Sequence, residues 1–145
     1  MKRQPVQVLV IPFRKYRESF QFGIFKRSDA DYWQFIAGGA DNTETPLQAA
    51  IRESFEEAGI SSSNIITLDT ISSMPANIFR DWKKWPSGTF IVKEFSFGIE
   101  VNVENFILSN EHSEYRWCSY DEAFQLLKWD SNKTALWELL QRINH

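Results

Sequence analysis

The sequence predicts an α/β fold of the α+β kind, a mixed β-sheet sandwiched between α-helices, and three observations carry that prediction. Strand-like and helix-like segments follow one another in mixed order rather than in strict alternation, which argues against a regularly wound parallel sheet. One helix, Pro46 to Ala58, has recognisable start and stop signals at its two ends. Large apolar side chains are abundant: the 145 residues include twelve Phe and six Trp and are 43% hydrophobic. That is enough for one core and too little for two, so a single domain over residues 1–145 is expected.

Val6 to Phe13 and Phe20 to Arg27 are rich in Val, Ile and Phe and flank the polar stretch Arg14 to Ser19, so they read as two strands of a hairpin. Tyr32 to Ile36 is a further short apolar run. The Gly38, Gly39 pair is expected to break regular structure after it, with a loop from Ala40 to Glu44. The helix that follows has Thr45 as its cap, Pro46 in the first helical position, Gln48 to complete a capping box and Gly59 to stop it. Ile65 to Ile71 and Phe90 to Val103 read as strands, the second bent or broken near Gly98, and Met74 to Gly88 between them as irregular. Tyr115 to Cys118 is strand-like. Ser119 and Glu122 form a second capping box ahead of Ala123 to Leu127, and a last helix is expected over Ser131 to Ile143.

A net charge of −3 and a pI near 5.4 exclude a surface built for a nucleic-acid polymer, which needs clustered Lys and Arg, but leave room for a local phosphate site. Cys118 is the only cysteine, so neither an intramolecular disulfide nor a cysteine-based zinc site can form. Lys2 and Arg3 precede an apolar run too short for a signal peptide, and no stretch reaches membrane-spanning length. A cytoplasmic protein without membrane partners is expected.

At about 100° per residue, the helix collects Leu47, Ala50, Ile51, Ser54, Phe55 and Ala58 on one mainly apolar face, expected to dock on the sheet. Glu53, Glu56 and Glu57 then gather on roughly the opposite side. Like charges at these spacings repel, and Glu in a last turn opposes the helix dipole. Arg52 can neutralise one of them, while a hard divalent cation compensates more fully through oxygen ligands. Three Glu on a helix are more often a solvated acidic face. The residues around these three reverse that reading.

Reading outward, the chain has Gly38, five residues, Glu44, seven residues, then Arg52, Glu53, Ser54, Phe55, Glu56, Glu57, Ala58, Gly59 and Ile60. This resembles the signature of the Nudix hydrolases at each of its seven fixed positions. Ser54 is the one departure, standing where the family carries a bulky aliphatic group, and is expected to weaken helix docking slightly. The resemblance implies the Nudix sandwich fold, the box forming a loop, helix and loop, and hydrolysis of a nucleoside diphosphate linked to another group.

By the same resemblance, Glu56 and Glu57 are the main Mg²⁺ ligands, with Mn²⁺ able to substitute, and Glu53 is a further ligand or the general base. Arg52 orients a glutamate, Glu44 supports the loop or Arg52, and Gly38 and Gly39 let the backbone turn tightly with a carbonyl near the metal. The base in this family can also lie on a later loop, which makes Glu111 a candidate ligand or base, preferred over Glu114. His112 reads as a loop residue rather than a zinc ligand, since only His145 could join it. A homodimer is an expectation of the resemblance alone.

Tyr32, Trp33 and Gln34 before the glycines, Tyr115 to Trp117, and Trp129, Ser131 and Asn132 are similar to one bacterial branch, the dihydroneopterin triphosphate pyrophosphatases, which also accept deoxyadenosine triphosphate. Arg80, Lys83 and Lys84 lie among Phe79, Trp82 and Trp85, a composition suited to phosphates beside a flat ring, and the segment Asn77 to Ser87 reads as a substrate loop. The alternative is a surface loop with tucked aromatics and solvated cations. The small-molecule substrate expected is thus a nucleoside or pterin triphosphate. Dinucleoside polyphosphates or nucleoside diphosphate sugars are the nearest rivals, followed by a non-catalytic nucleotide-binding module and an aromatic-rich interaction protein.

Overall fold

The computed structural model describes residues 3–61 and 64–145; Lys2 of the basic N-terminal pair lies outside them. Among the described residues, seven strands form one mixed sheet, and three α-helices flank it. The strands are β1 (Arg3–Tyr16), β2 (Ser19–Arg27), β3 (Trp33–Gln34), β4 (Ile36–Asp41), β5 (Ile65–Pro75), β6 (Ile91–Glu100) and β7 (His112–Cys118). The helices are α1 (Pro46–Ala58), α2 (Tyr120–Leu126) and α3 (Asp130–Ile143).

β1 organises the sheet. It runs parallel to β6 and antiparallel to β2 near one end and to β4 near the other, while β5 extends the sheet beyond β6 and β7 pairs with β2. Its unbroken apolar run follows from burial on both faces. Alternate residues enter two cores: Val8 and Val10 pack with Phe97, Ile99 and the small residues of α1, while Leu9 and Ile11 pack with Phe22, Phe35 and Leu136 and Leu139 of α3. A third, smaller cluster of Ala76, Trp85 and Val92 anchors the irregular segment.

Three expectations are corrected. The glycine pair does not break the chain; Gly38 and Gly39 are paired residues of β4, opposite Val8 and Gln7, because their role is steric and needs extended backbone. β6 is continuous through Gly98, whose missing side chain admits Leu139. The helix keeps its expected bounds, Thr45 capping box and left-handed Gly59 stop, but it is rotated about its axis. It buries Ala49, Ala50, Glu53, Ser54, Glu57 and Ala58, leaving Leu47, Ile51 and Phe55 40%, 47% and 62% exposed. Small residues let α1 lie close to the sheet, and the two carboxylates turn inward. Fully buried Ser54 donates to the Ala50 carbonyl at 2.7 Å, so its hydroxyl is satisfied within the helix.

Among the described residues no helix is long and apolar enough to cross a membrane.

Candidate active site

Arg52 is the hub of the carboxylate helix. Its Nε and Nη2 donate to the two oxygens of Glu44 at 2.7 and 2.9 Å, its Nη1 to Glu53 Oε1 at 2.9 Å and Glu56 Oε2 at 3.2 Å, and its Nη2 also to the Gly39 carbonyl at 2.8 Å. A planar fork of donors is needed to make all five bonds. Glu44 closes the loop before the helix, accepting from the Asp41 amide at 2.8 Å, and Gln4 holds the Asp41 and Glu44 carbonyls. The Arg52 guanidinium holds the Glu44 carboxyl below its ordinary range, and Glu44 in turn raises Arg52.

Glu53 is buried against β4. A Cβ on Gly38 would overlap its carboxyl group, so the absent side chain is what lets Glu53 lie there. Burial pushes the Glu53 carboxyl up to about 7, against the pull of Arg52 and with a further push from Glu57 and Glu56. Glu56 lies at the solvent border, while Glu57 is buried.

Glu57 meets the segment before β7. Ser109 Oγ donates to Glu57 Oε2 at 2.7 Å, and His112 Nδ1 stands 3.4 Å from the same oxygen. On its other side, His112 Nε2 lies 3.4 Å from Gln34 Nε2, so the ring is held between Gln34 and Glu57. Burial opposes ionisation of Glu57, yet the His112 and Ser109 contacts hold its carboxyl below the ordinary range. The neighbouring Glu111 carboxyl is raised by burial and then by the charge of Glu57.

The fold therefore brings together Arg52, Glu53, Glu56, Glu57, Glu44 and Glu111. Glu114 is not with them; it pairs with Lys26 at 3.7 Å on β7. Within the irregular segment, Arg80, Lys83 and Lys84 are exposed, and the Trp82 Nε1 donates to the Thr89 carbonyl at 3.0 Å. Of that group only Lys84 lines the cleft of about 360 Å³ between this segment and β1, beside Arg3, Asp81 and Trp85. Two residues that sequence reading passed over belong here. His112 is buried beside Glu57 rather than on a loop surface, and Arg3 is close enough to Glu53 and Asp81 to feel both charges. Neither carries a local signal, since each acquires its role from a partner distant in sequence.

As a metal site, the donor set is all hard oxygen, and its carboxylates outnumber the one guanidinium among them. Among the described residues, no three acidic, His or Cys groups converge into a finished cage. Magnesium needs none, because it retains several waters and takes one or two carboxylates together with substrate phosphates. The residues fit such an ion.

Residues 4–139 match the NUDIX domain family. The chain belongs to that family of hydrolases, which act on phosphoanhydride bonds and generally use a divalent metal. It is 31% identical over 114 residues to a dihydroneopterin triphosphate diphosphatase of Haemophilus influenzae, covering 77% of this chain and 72% of that protein. It is also 31% identical over 122 residues to a rat asymmetrical bis(5'-nucleosyl)-tetraphosphatase, covering 83% and 78%. A solved Nudix hydrolase from Listeria monocytogenes is 44% identical and superposes with a TM-score of 0.84 over 97% of this chain and 95% of that one.

Proposed function

We propose that this chain is a magnesium-dependent pyrophosphohydrolase that cleaves dihydroneopterin triphosphate or a (deoxy)nucleoside triphosphate to the monophosphate and pyrophosphate. One observation carries the reading: the inward carboxyl of Glu53 is wedged against Gly38 and tied by Arg52 to Glu44 and Glu56, in a setting whose burial pushes it up to about 7. A group of that pKa can both hold and release a proton at neutral pH, which is what activating water for attack on phosphorus requires.

In this reading, Glu56 and Glu57 hold the metal, Glu53 is a further ligand or the base, and Glu111 is an accessory ligand or base. A divalent cation bound there supplies charge neutralisation to the phosphate oxygens and lowers the pKa of the attacking water. Arg52 fixes Glu53 through Oε1 and leaves Oε2 to receive a proton. His112 and Ser109 keep Glu57 ionised and fix its direction. Glu44 holds Arg52, and Lys84, which lines one cleft with Arg3, is the cation assigned to the phosphates in this reading.

The rival substrates are dinucleoside polyphosphates and nucleoside diphosphate sugars, and the similarity to the rat tetraphosphatase keeps the first of these in view. A substrate panel with Mg²⁺, read by separating the phosphate products, decides between them. The expected result is pyrophosphate and a monophosphate from dihydroneopterin triphosphate and from a deoxynucleoside triphosphate. Cleavage of diadenosine tetraphosphate while both of these stay intact would overturn the substrate assignment.

A further inference from the structure

Two arginines meet at Gly39, and the fold uses them differently. Arg52 donates to the Gly39 carbonyl and spends its remaining donors on Glu44, Glu53 and Glu56. Arg3 lies where a Cβ on Gly39 would be, and its guanidinium donates one hydrogen bond among the described residues, to Gln7. Its Nε is buried without a partner, and no carboxylate among the described residues forms an ion pair with it. Asp81 and Glu53 are near enough to favour its charge, yet burial works harder against that charge. A guanidinium has five N–H donors in a fixed fork, so most of the bonding capacity of Arg3 is unspent.

Arg3 is nevertheless held in place. Its Cζ stacks 4.6 Å from the centre of the Phe79 ring, and its carbonyl accepts from Trp85 Nε1 at 2.6 Å. These contacts form one wall of the cleft of about 360 Å³, which Gln4, Asn42, Asp81 and Lys84 also line. Lys84 is 73% exposed and stands 3.5 Å from Asp81, so it is free to turn toward a ligand. Cleft and carboxylate helix share a border: Gln4 Nε2 donates to the Asp41 and Glu44 carbonyls at 2.6 and 2.7 Å, and the Glu44 carboxylate grips Arg52.

The lining suits one end of a substrate and not the other. Trp85 is 8% exposed and packed against Phe79, Ala76 and Val92, so it offers little face for stacking a ring. The volume is at the low end of ligand pockets, about 300 to 1,000 Å³, as fits a fragment of a nucleotide. An arginine fork matches two phosphate oxygens at once, and a lysine adds a mobile point charge.

We propose that this cleft holds the terminal diphosphate of the substrate, the part released as pyrophosphate, and that Arg3 is the residue that grips it. This rests on the hydrolase reading above. A free phosphate end is then what the enzyme selects. Dinucleoside polyphosphates and nucleoside diphosphate sugars carry a second group where the cleft takes that end.

Arg3→Met tests this, because methionine keeps the packing on Phe79 and removes the donors. Calorimetry with the two products, pyrophosphate and dAMP, is run with Mg²⁺ present. The dissociation constant for pyrophosphate is expected to rise roughly ten- to a hundredfold, and that for dAMP to stay within about twofold. In turnover, KM for dATP is expected to rise at least about tenfold while kcat stays within about threefold. Arg3→Lys keeps the charge without the fork and is expected to recover part of the loss. Should Arg3→Met not fold, Lys84→Met carries the same test at an exposed position, with a rise of about three- to tenfold for pyrophosphate alone. Pyrophosphate binding that depends on Arg3, without hydrolysis of any substrate, would count against the hydrolase reading alone. No pyrophosphate binding by the unsubstituted protein, equal weakening of pyrophosphate and dAMP, or an unchanged KM for dATP in Arg3→Met would overturn the cleft assignment.

Discussion

At the scale of single residues, the catalytic geometry depends on an absent side chain. Glu53 lies against β4 only because position 38 has no Cβ. Gly38→Ala is therefore expected to push the carboxyl off β4 and away from Arg52, lowering kcat by about one to two orders of magnitude. The cost to stability is expected to be about 1 to 3 kcal/mol, the usual range for one methyl group forced into a packed site. Turnover and a thermal melt of the same preparation measure both, and an alanine variant with unchanged kcat would show that Glu53 needs no such seat. In the sequence the glycines were visible and their purpose was not. A glycine pair reads locally as a breaker, whereas here the reason for it lies in Glu53 and Arg3, residues brought up from other elements.

At the scale of elements, α1 shows what local sequence encodes and what it leaves out. Its ends were legible, because Thr45, Gln48 and Gly59 act on neighbouring backbone groups. Its rotation was not. Of the face read as docking, Ala50, Ser54 and Ala58 do turn inward, but Leu47, Ile51 and Phe55 do not, and Ala49, Glu53 and Glu57 take their place. Apolar periodicity assumes that buried means apolar, and that assumption fails where carboxylates are drawn inward toward a site. A second element-level device is Glu138 of α3, which accepts from the Asp69 and Thr70 amides at 2.6 and 2.8 Å and from Arg142 at 2.8 Å. Asp69 and Thr70 lie where the β5 register shifts, so Glu138 satisfies amides that the sheet leaves over. Against the opposing effect of burial, these bonds hold its carboxyl at about 2. A depressed carboxyl stabilises the fold fully above its unfolded value and ceases to do so as pH falls through the folded one. Between roughly pH 4.5 and 2 the protein is expected to lose about 1 to 2 kcal/mol through this group, and Glu138→Gln should remove that part of the acid dependence in melts followed by circular dichroism.

At the scale of the whole molecule, one sheet separates two cores and joins two polar regions across the edge strand β4. The mixed sheet between helices was legible from the order of apolar runs and capping signals, and the acidic helix from the spacing of its box. The cleft around Arg3 was not, because its walls come from β1, the loop before α1 and the irregular segment, which meet only in the fold. Burial of carboxyls gives the molecule a pH signature. Glu53 and Glu94, the latter buried on β6, are both raised to about 7, so each favours the folded state fully below its unfolded value and loses that contribution as pH rises through the folded one. Without added metal, the melting temperature is expected to fall between about pH 4.5 and 7, by the equivalent of roughly 1 to 3 kcal/mol per group. Glu94→Gln should flatten part of that fall, and an identical pH profile in the variant would show that Glu94 is not raised. The central claim, that the inward carboxylates of α1 perform metal-dependent hydrolysis, is tested most directly by the turnover of Glu57→Gln on a triphosphate across a Mg²⁺ titration, with the fold checked by its melt. The account predicts a folded protein whose pyrophosphate release falls at least about a hundredfold at every Mg²⁺ concentration; turnover equal to that of the unsubstituted protein would contradict it.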